Sequence, residues 1–171
     1  DSGDVEKRIK ITYNQLPEVL IDALVATEDS RFFQHNGVDI ARFIKASIGQ
    51  LLGNSSAGGA STLTMQVSKN ALTSTDDEGI SGIIRKFTDI YLAVFKIEKQ
   101  YTKQDIIEMY LNTEYMGNEA FGVEQASKTY FNKSASDVSL SEAALLVGLF
   151  QAPSAYDQYI YPEKREARRN Q

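Results

Sequence analysis

The 171-residue sequence contains no cysteine and a single histidine, His35. The first absence excludes a disulfide framework and thiolate metal sites. The second excludes zinc held by several histidines, and a serine–histidine mechanism would hang on His35 alone. Positive charge is also short: 18 Lys and Arg stand against 23 Asp and Glu, a formal net charge of -5. Bulk electrostatics therefore oppose non-specific binding to nucleic acid or to an anionic membrane, and an anionic ligand needs a local cluster of cations. Missing too is any run of the roughly 18 apolar residues that a transmembrane helix requires, and any signal-peptide pattern. Anchoring or export is expected to be encoded outside these residues, and the lack of cysteine suits an extracytoplasmic setting.

What is present is an ordinary globular composition, 42% hydrophobic and 24% charged. The length suits a single domain over 1–171 with a continuous apolar core. Residues 1–14 carry a short Ile9, Ile11, Tyr13 alternation, a brief strand or an extended lead-in. Pro17 suits the start of a helix carrying Leu16, Leu20, Ala23, Leu24 and Thr27 at helical spacing, with Glu28 and Asp29 at its C-terminal end. Asp39 can cap a helix bearing Ile40, Phe43, Ile44, Ile48, Leu51 and Leu52. The segment Gly53 to Gly59 is a flexible linker by composition, and Ser61 can cap a short helix through Asn70. A polar loop at 73–79 precedes the longest stripe, Ile80, Ile83, Ile84, Phe87, Ile90, Tyr91, Val94 and Phe95, which leaves Arg85, Lys86 and Asp89 on the other side. Thr102 with Asp105, and Ser139 with Glu142, give two capping patterns ahead of further helices, separated by a glycine-bearing loop at Gly117. Pro153 and Pro162 bracket a tyrosine-rich connection into a basic end. No alternation is long enough to found a sheet, so the expected fold is mainly α.

Three stretches use residues that a helical core does not require. In Glu28 to Asp39 (EDSRFFQHNGVD), Glu28 lies near two phenylalanines that can desolvate it and raise its pKa toward that of a general base. In Gly58 to Asn70, glycines feed a helix N-terminus with hydroxyls in its first turn, a natural anion site because free N–H groups point outward there. Gln66 and Lys69 lie one turn apart on that helix. The third stretch is Arg85, Lys86 and Asp89. Such a group is usually a solvated face, but with Lys69 it offers an acidic protein a way to hold a pyrophosphate.

Together these stretches resemble family 51 glycosyltransferases, the polymerising domains of class A penicillin-binding proteins and the monofunctional transglycosylases. Glu28 to Asp39 looks like the family's first motif and Gly59 to Asn70 (GASTLTMQVSKN) like its second. Arg85, Lys86 and Asp89 stand where the third has Arg, Lys and Glu. Lys103 to Asn112 (KQDIIEMYLN) is similar to the fourth, and Ser141 to Tyr156 continues the pattern. Asp89 departs from it by one methylene, and the arginines Arg165, Arg168 and Arg169 fall where a fifth motif would form.

The resemblance implies a mainly α, lysozyme-like helical domain with a smaller, mobile, hydrophobic lobe facing the membrane, placed at Ile40 to Leu52. It implies an enzyme at the extracytoplasmic face of the bacterial cytoplasmic membrane, separated here from its membrane anchor and from any transpeptidase domain. The enzyme would polymerise lipid II onto a growing lipid-linked glycan with inversion, release undecaprenyl pyrophosphate and bind moenomycin-type inhibitors. Glu28 and Asp89 are the implied catalytic residues. Asp29, Phe32, His35, Gly37, Ser61, Thr64, Gln66, Lys69, Asn70, Arg85, Lys86, Glu108 and Asn112 are implied to bind substrate. A magnesium or manganese ion at Asp89 would be shared with the diphosphate. The rival readings are a lysozyme-like hydrolase or lytic transglycosylase built around the same glutamate, and a non-catalytic glycan- or lipid-binding module.

Overall fold

A computed structural model describes residues 9–53, 59–72, 80–116 and 120–151. The Gly53 to Gly59 linker (in its 54–58 part), the 73–79 loop, Gly117 and the Pro153–Pro162 connection with its arginines lie outside the described residues. The chain forms two compact units, Asp1–Leu24 with Leu111–Gln171, and Val25–Tyr110. As expected, the described residues are mainly helical, and their only β pairing is an isolated antiparallel bridge between Tyr115 and Phe121. No helix among them is long and apolar enough to cross a membrane.

In the first unit the lead-in is extended at Thr12 and closes into a 3-10 turn at Tyr13–Gln15, so its described part, from Ile9, forms no strand. Helix α1, Glu18–Glu28, starts where Pro17 offers its carbonyl to Leu20 and Ile21. Leu20 and Leu24, one turn apart, are fully buried, each burial contributing roughly 1.5–3 kcal/mol. Helix α7, Val123–Phe131, ends at Asn132 in the left-handed conformation that caps a helix C-terminus. The Ser139–Glu142 pattern does cap α8, Leu140–Gln151: Ser139 N–H donates to Glu142 Oε2 at 2.8 Å, and Leu146 and Leu149 are buried.

The second unit contains α2, Ile40–Leu51; α3, Leu63–Leu72; α4, Ile80–Leu92; a π-helical turn, Ala93–Ile97; and a short α5, Glu98–Gln100. Helix α6, Lys103–Thr113, starts here under the expected Thr102–Asp105 box, with N–H to side-chain distances of 2.8 and 3.1 Å. Phe32, Leu63, Met65, Val67, Ile106 and Tyr110 build this unit's core, and α3 packs on α4 and on the π-turn.

Two apolar stripes face outward instead of into this core. Along α2, Ile40, Ile44, Ile48 and the following Leu52 are 51–79% exposed, and Ala46 is buried. On α4 and the π-turn, Phe87, Tyr91 and Phe95 of the expected stripe are 63%, 61% and 54% exposed, whereas Asp89, on its other side, Ala93 and Ile97 are buried. Helical periodicity reveals two faces but not which one is covered; here the face with the carboxylate is the covered one.

Candidate active site

The first motif is a turn built on carboxylates. Helix α1 ends at Glu28, and its last carbonyl accepts a 2.8 Å bond from Arg42 Nη1, a cation at the negative end of the helix dipole. The Glu28 Oε1 atom is buried and finds no hydrogen-bond partner among the described residues. Asp29 is wholly buried and saturated. His35 Nε2 donates to its two oxygens at 2.9 and 2.8 Å, and Leu63 N–H donates to Oδ2 at 3.0 Å. Gly37 N–H donates to His35 Nδ1 at 3.1 Å, so the ring carries its proton on Nε2.

Gly37 itself is required by geometry. Its φ is +95°, and a Cβ would lie 3.0 Å from the Ala93 carbonyl and 3.1 Å from Glu98 Cγ. Its own carbonyl accepts from Thr62 Oγ1 at 2.6 Å. Asp39 closes the turn as the N-cap of α2, accepting from Arg42 N–H at 3.0 Å and from Arg31 through both carboxylate oxygens. Burial opposes its charge, but the Arg42 N–H and the Arg31 guanidinium outweigh that and hold its pKa below the ordinary carboxylate value.

At the second motif the structure corrects two expectations. The N-cap of α3 is Thr62, whose Oγ1 accepts from Met65 N–H at 3.2 Å, and not Ser61. Nor is the N-terminus of α3 left open for a ligand at Leu63, because Asp29 is the anion that takes this N–H. Ser61 Oγ instead accepts from Lys86 Nζ at 2.6 Å. Lys86 is half-buried, and burial lowers its pKa; the nearby Lys69 adds to the lowering while Asp89 offsets it. Residues 61–63 thus connect two assemblies, the Asp29–His35 turn through Leu63 and the Lys86, Lys69 and Asp89 charges through Ser61.

The remaining expected residues divide. Gln66 is half-buried, and Lys69 and Asn70 are exposed; the Arg85 side chain lies outside the described residues. Thr64, expected to touch substrate, is fully buried and donates to Glu98 Oε1 at 2.7 Å, so it ties the protein to itself. Phe32 is likewise wholly buried. Glu108 is half-buried on α6. Asn112 belongs to the other unit, where its amide pairs with both backbone groups of Ile11 at 2.9 Å, a structural bond. Sequence reading passed over Arg31, Arg42, Thr62, Glu98 and Lys103. Their types are common on helix surfaces, and only the folded turn gives them partners.

The sequence pattern of the transglycosylase family matches residues 2–171. The chain belongs to that family. As a transglycosylase it is an enzyme domain that transfers glycosyl groups. Penicillin-binding protein 1A of Streptococcus oralis is 41% identical over 167 residues, covering 96% of this chain and 26% of that protein. Penicillin-binding protein 1A of Neisseria gonorrhoeae is 42% identical over 164 residues, 95% of this chain and 20% of that protein. The protein of the same name from Neisseria cinerea is 40% identical over 164 residues. The transglycosylase chain spans about a fifth to a quarter of the length of these curated relatives.

Proposed function

We propose that this transglycosylase polymerises lipid II into β-1,4-linked glycan at the outer face of the cytoplasmic membrane, with Glu28 as the base. The buried Glu28 Oε1, without a partner among the described residues, carries the reading: a carboxylate oxygen with an unused lone pair is placed to accept a proton. Glu28 takes the proton of the acceptor 4-hydroxyl as that oxygen attacks the donor's anomeric carbon from the face opposite the leaving group. The C–O bond to undecaprenyl pyrophosphate breaks as the new one forms, which inverts α to β.

A pyrophosphate leaves without being protonated, so the counterpart of the base is positive charge rather than an acid. Lys86, Lys69 and Arg85 are assigned to that role. Ser61 steadies Lys86, and Asp89 offsets part of the lowering that burial imposes on its pKa. A bound diphosphate reinforces the same effect. A magnesium or manganese ion would be held at Asp89 and shared with the diphosphate, since among the described residues no three His, Asp or Glu side chains gather into a metal-holding group of their own.

The test is Glu28→Gln, assayed on lipid II with product analysis. Loss of glycan formation by at least about a hundredfold, with an unchanged unfolding midpoint, is the expected result. Substantial turnover would remove Glu28 from the role of base, and cleavage of finished peptidoglycan without elongation would make the domain a hydrolase.

A further inference from the structure

Lys103 takes no part in the chemistry above, yet it is tied on three sides. Its Nζ donates to the His35 carbonyl at 2.7 Å and to Glu98 Oε1 at 2.6 Å, and it lies 4.4 Å from the centre of the Phe32 ring. The Glu98 oxygen it touches also accepts the Thr64 hydroxyl. Both side chains are mostly covered, 20% and 9% exposed, so the charges face each other with little water between.

This pair grips the turn that orders the site. Glu98 Cγ fills the space beside Gly37, and Lys103 holds the carbonyl of His35, two residues earlier. Between those two anchors the Gly37 N–H is aimed at Nδ1 of His35. That bond keeps the ring proton on Nε2, where it secures both oxygens of Asp29, the residue that follows Glu28.

We propose that Lys103 and Glu98 are positioning residues for glycosyl transfer: they hold the 32–37 turn so that His35 keeps one tautomer, Asp29 keeps its orientation and Glu28 keeps its aim. The role in transfer rests on the function proposed above; the effect on the turn does not. Removing an ion pair that merely stabilised the fold would lower the unfolding temperature and leave the histidine as it was.

His35 is the only histidine, so the imidazole nitrogens of the 15N-histidine-labelled full chain give one pair of signals. The wild type is expected to show a protonated Nε2 and an acceptor Nδ1. In Lys103→Met the two signals should move toward each other as tautomers mix. For lipid II, kcat should fall roughly ten- to a hundredfold with KM nearly unchanged, and Lys103→Arg should recover part of both effects. Glu98→Gln, which keeps an acceptor for Thr64, should move the spectrum the same way and serves if Lys103→Met fails to fold. Unchanged imidazole signals in folded Lys103→Met or Glu98→Gln would overturn the proposal, whatever happens to stability. So would a mixed tautomer with undiminished kcat. A wild type that makes no glycan would defeat the proposed function, while the nitrogen signals would still decide whether the pair sets the turn.

Discussion

Glu28 and Asp29 are neighbours in sequence and opposites in circumstance. Asp29 has every oxygen engaged, by His35 and by the N-terminus of α3, whereas Glu28 keeps one buried oxygen without a partner among the described residues. A site needs both kinds of carboxylate, one to hold the frame and one to react. Asp39 is a second frame carboxylate, and its lowered pKa makes it a source of acid sensitivity. Its contribution is present at any pH above the unfolded value of 3.8 and fades as pH falls through the lower folded value. Urea unfolding at pH 7 should therefore show Asp39→Asn less stable than wild type by about 1–2 kcal/mol, since Arg31 is half in water. The gap should close as the pH drops below 3.8; a gap that persists undiminished at pH 2 would mean that the loss is not of charge. Glu28 and Asp29 were both legible in the first motif's spacing, but their division of labour was not, because burial and partners are properties of the folded turn. Asp89 was legible as the departure from the family's glutamate, and the structure adds that it faces inward beside a lysine.

Among the elements, α3 shows how far local reading reaches. The boxes at Thr102–Asp105 and Ser139–Glu142 were found because each is closed by residues three apart, so the sequence contains both partners. At 61–62 two hydroxyls compete for one cap, and a lysine some twenty-five residues away decides the outcome. The distinction is measurable. Thr62→Ala should cost about 1–2 kcal/mol in thermal unfolding, losing both the cap and the Gly37 tie. Ser61→Ala should leave the midpoint within about 0.5 kcal/mol while lowering turnover of lipid II, because it frees Lys86. Equal thermal losses in the two variants would restore Ser61 as the cap. The outward aromatics of α4 have the same origin: an amphipathic pattern fixes the angle between two faces, and long-range packing chooses between them.

For the molecule as a whole, apolar side chains stand outward on α2 and α4 of the Val25–Tyr110 unit while the net charge is -5. A lipid surface would therefore be met through these side chains and not through charge. Flotation with vesicles of zwitterionic lipid should recover the protein equally at low and high salt, and Ile44→Ser with Ile48→Ser should reduce recovery severalfold. Binding that needs anionic lipid and disappears in salt would refute this. The π-turn at Ala93–Ile97 has a further consequence, one of phase. In an uninterrupted α-helix Glu98, seven residues beyond Tyr91, would come within about 20° of it, on the solvent side among the aromatics. The wider winding of the π-turn rotates it inward to Gly37 instead. One rod thus changes allegiance midway, aromatic and outward before the slip, acidic and inward after it. Rewinding that turn as regular α-helix at its present length would swing Glu98 away by about 100° and sever the catalytic turn from its anchor without altering any side chain in the site.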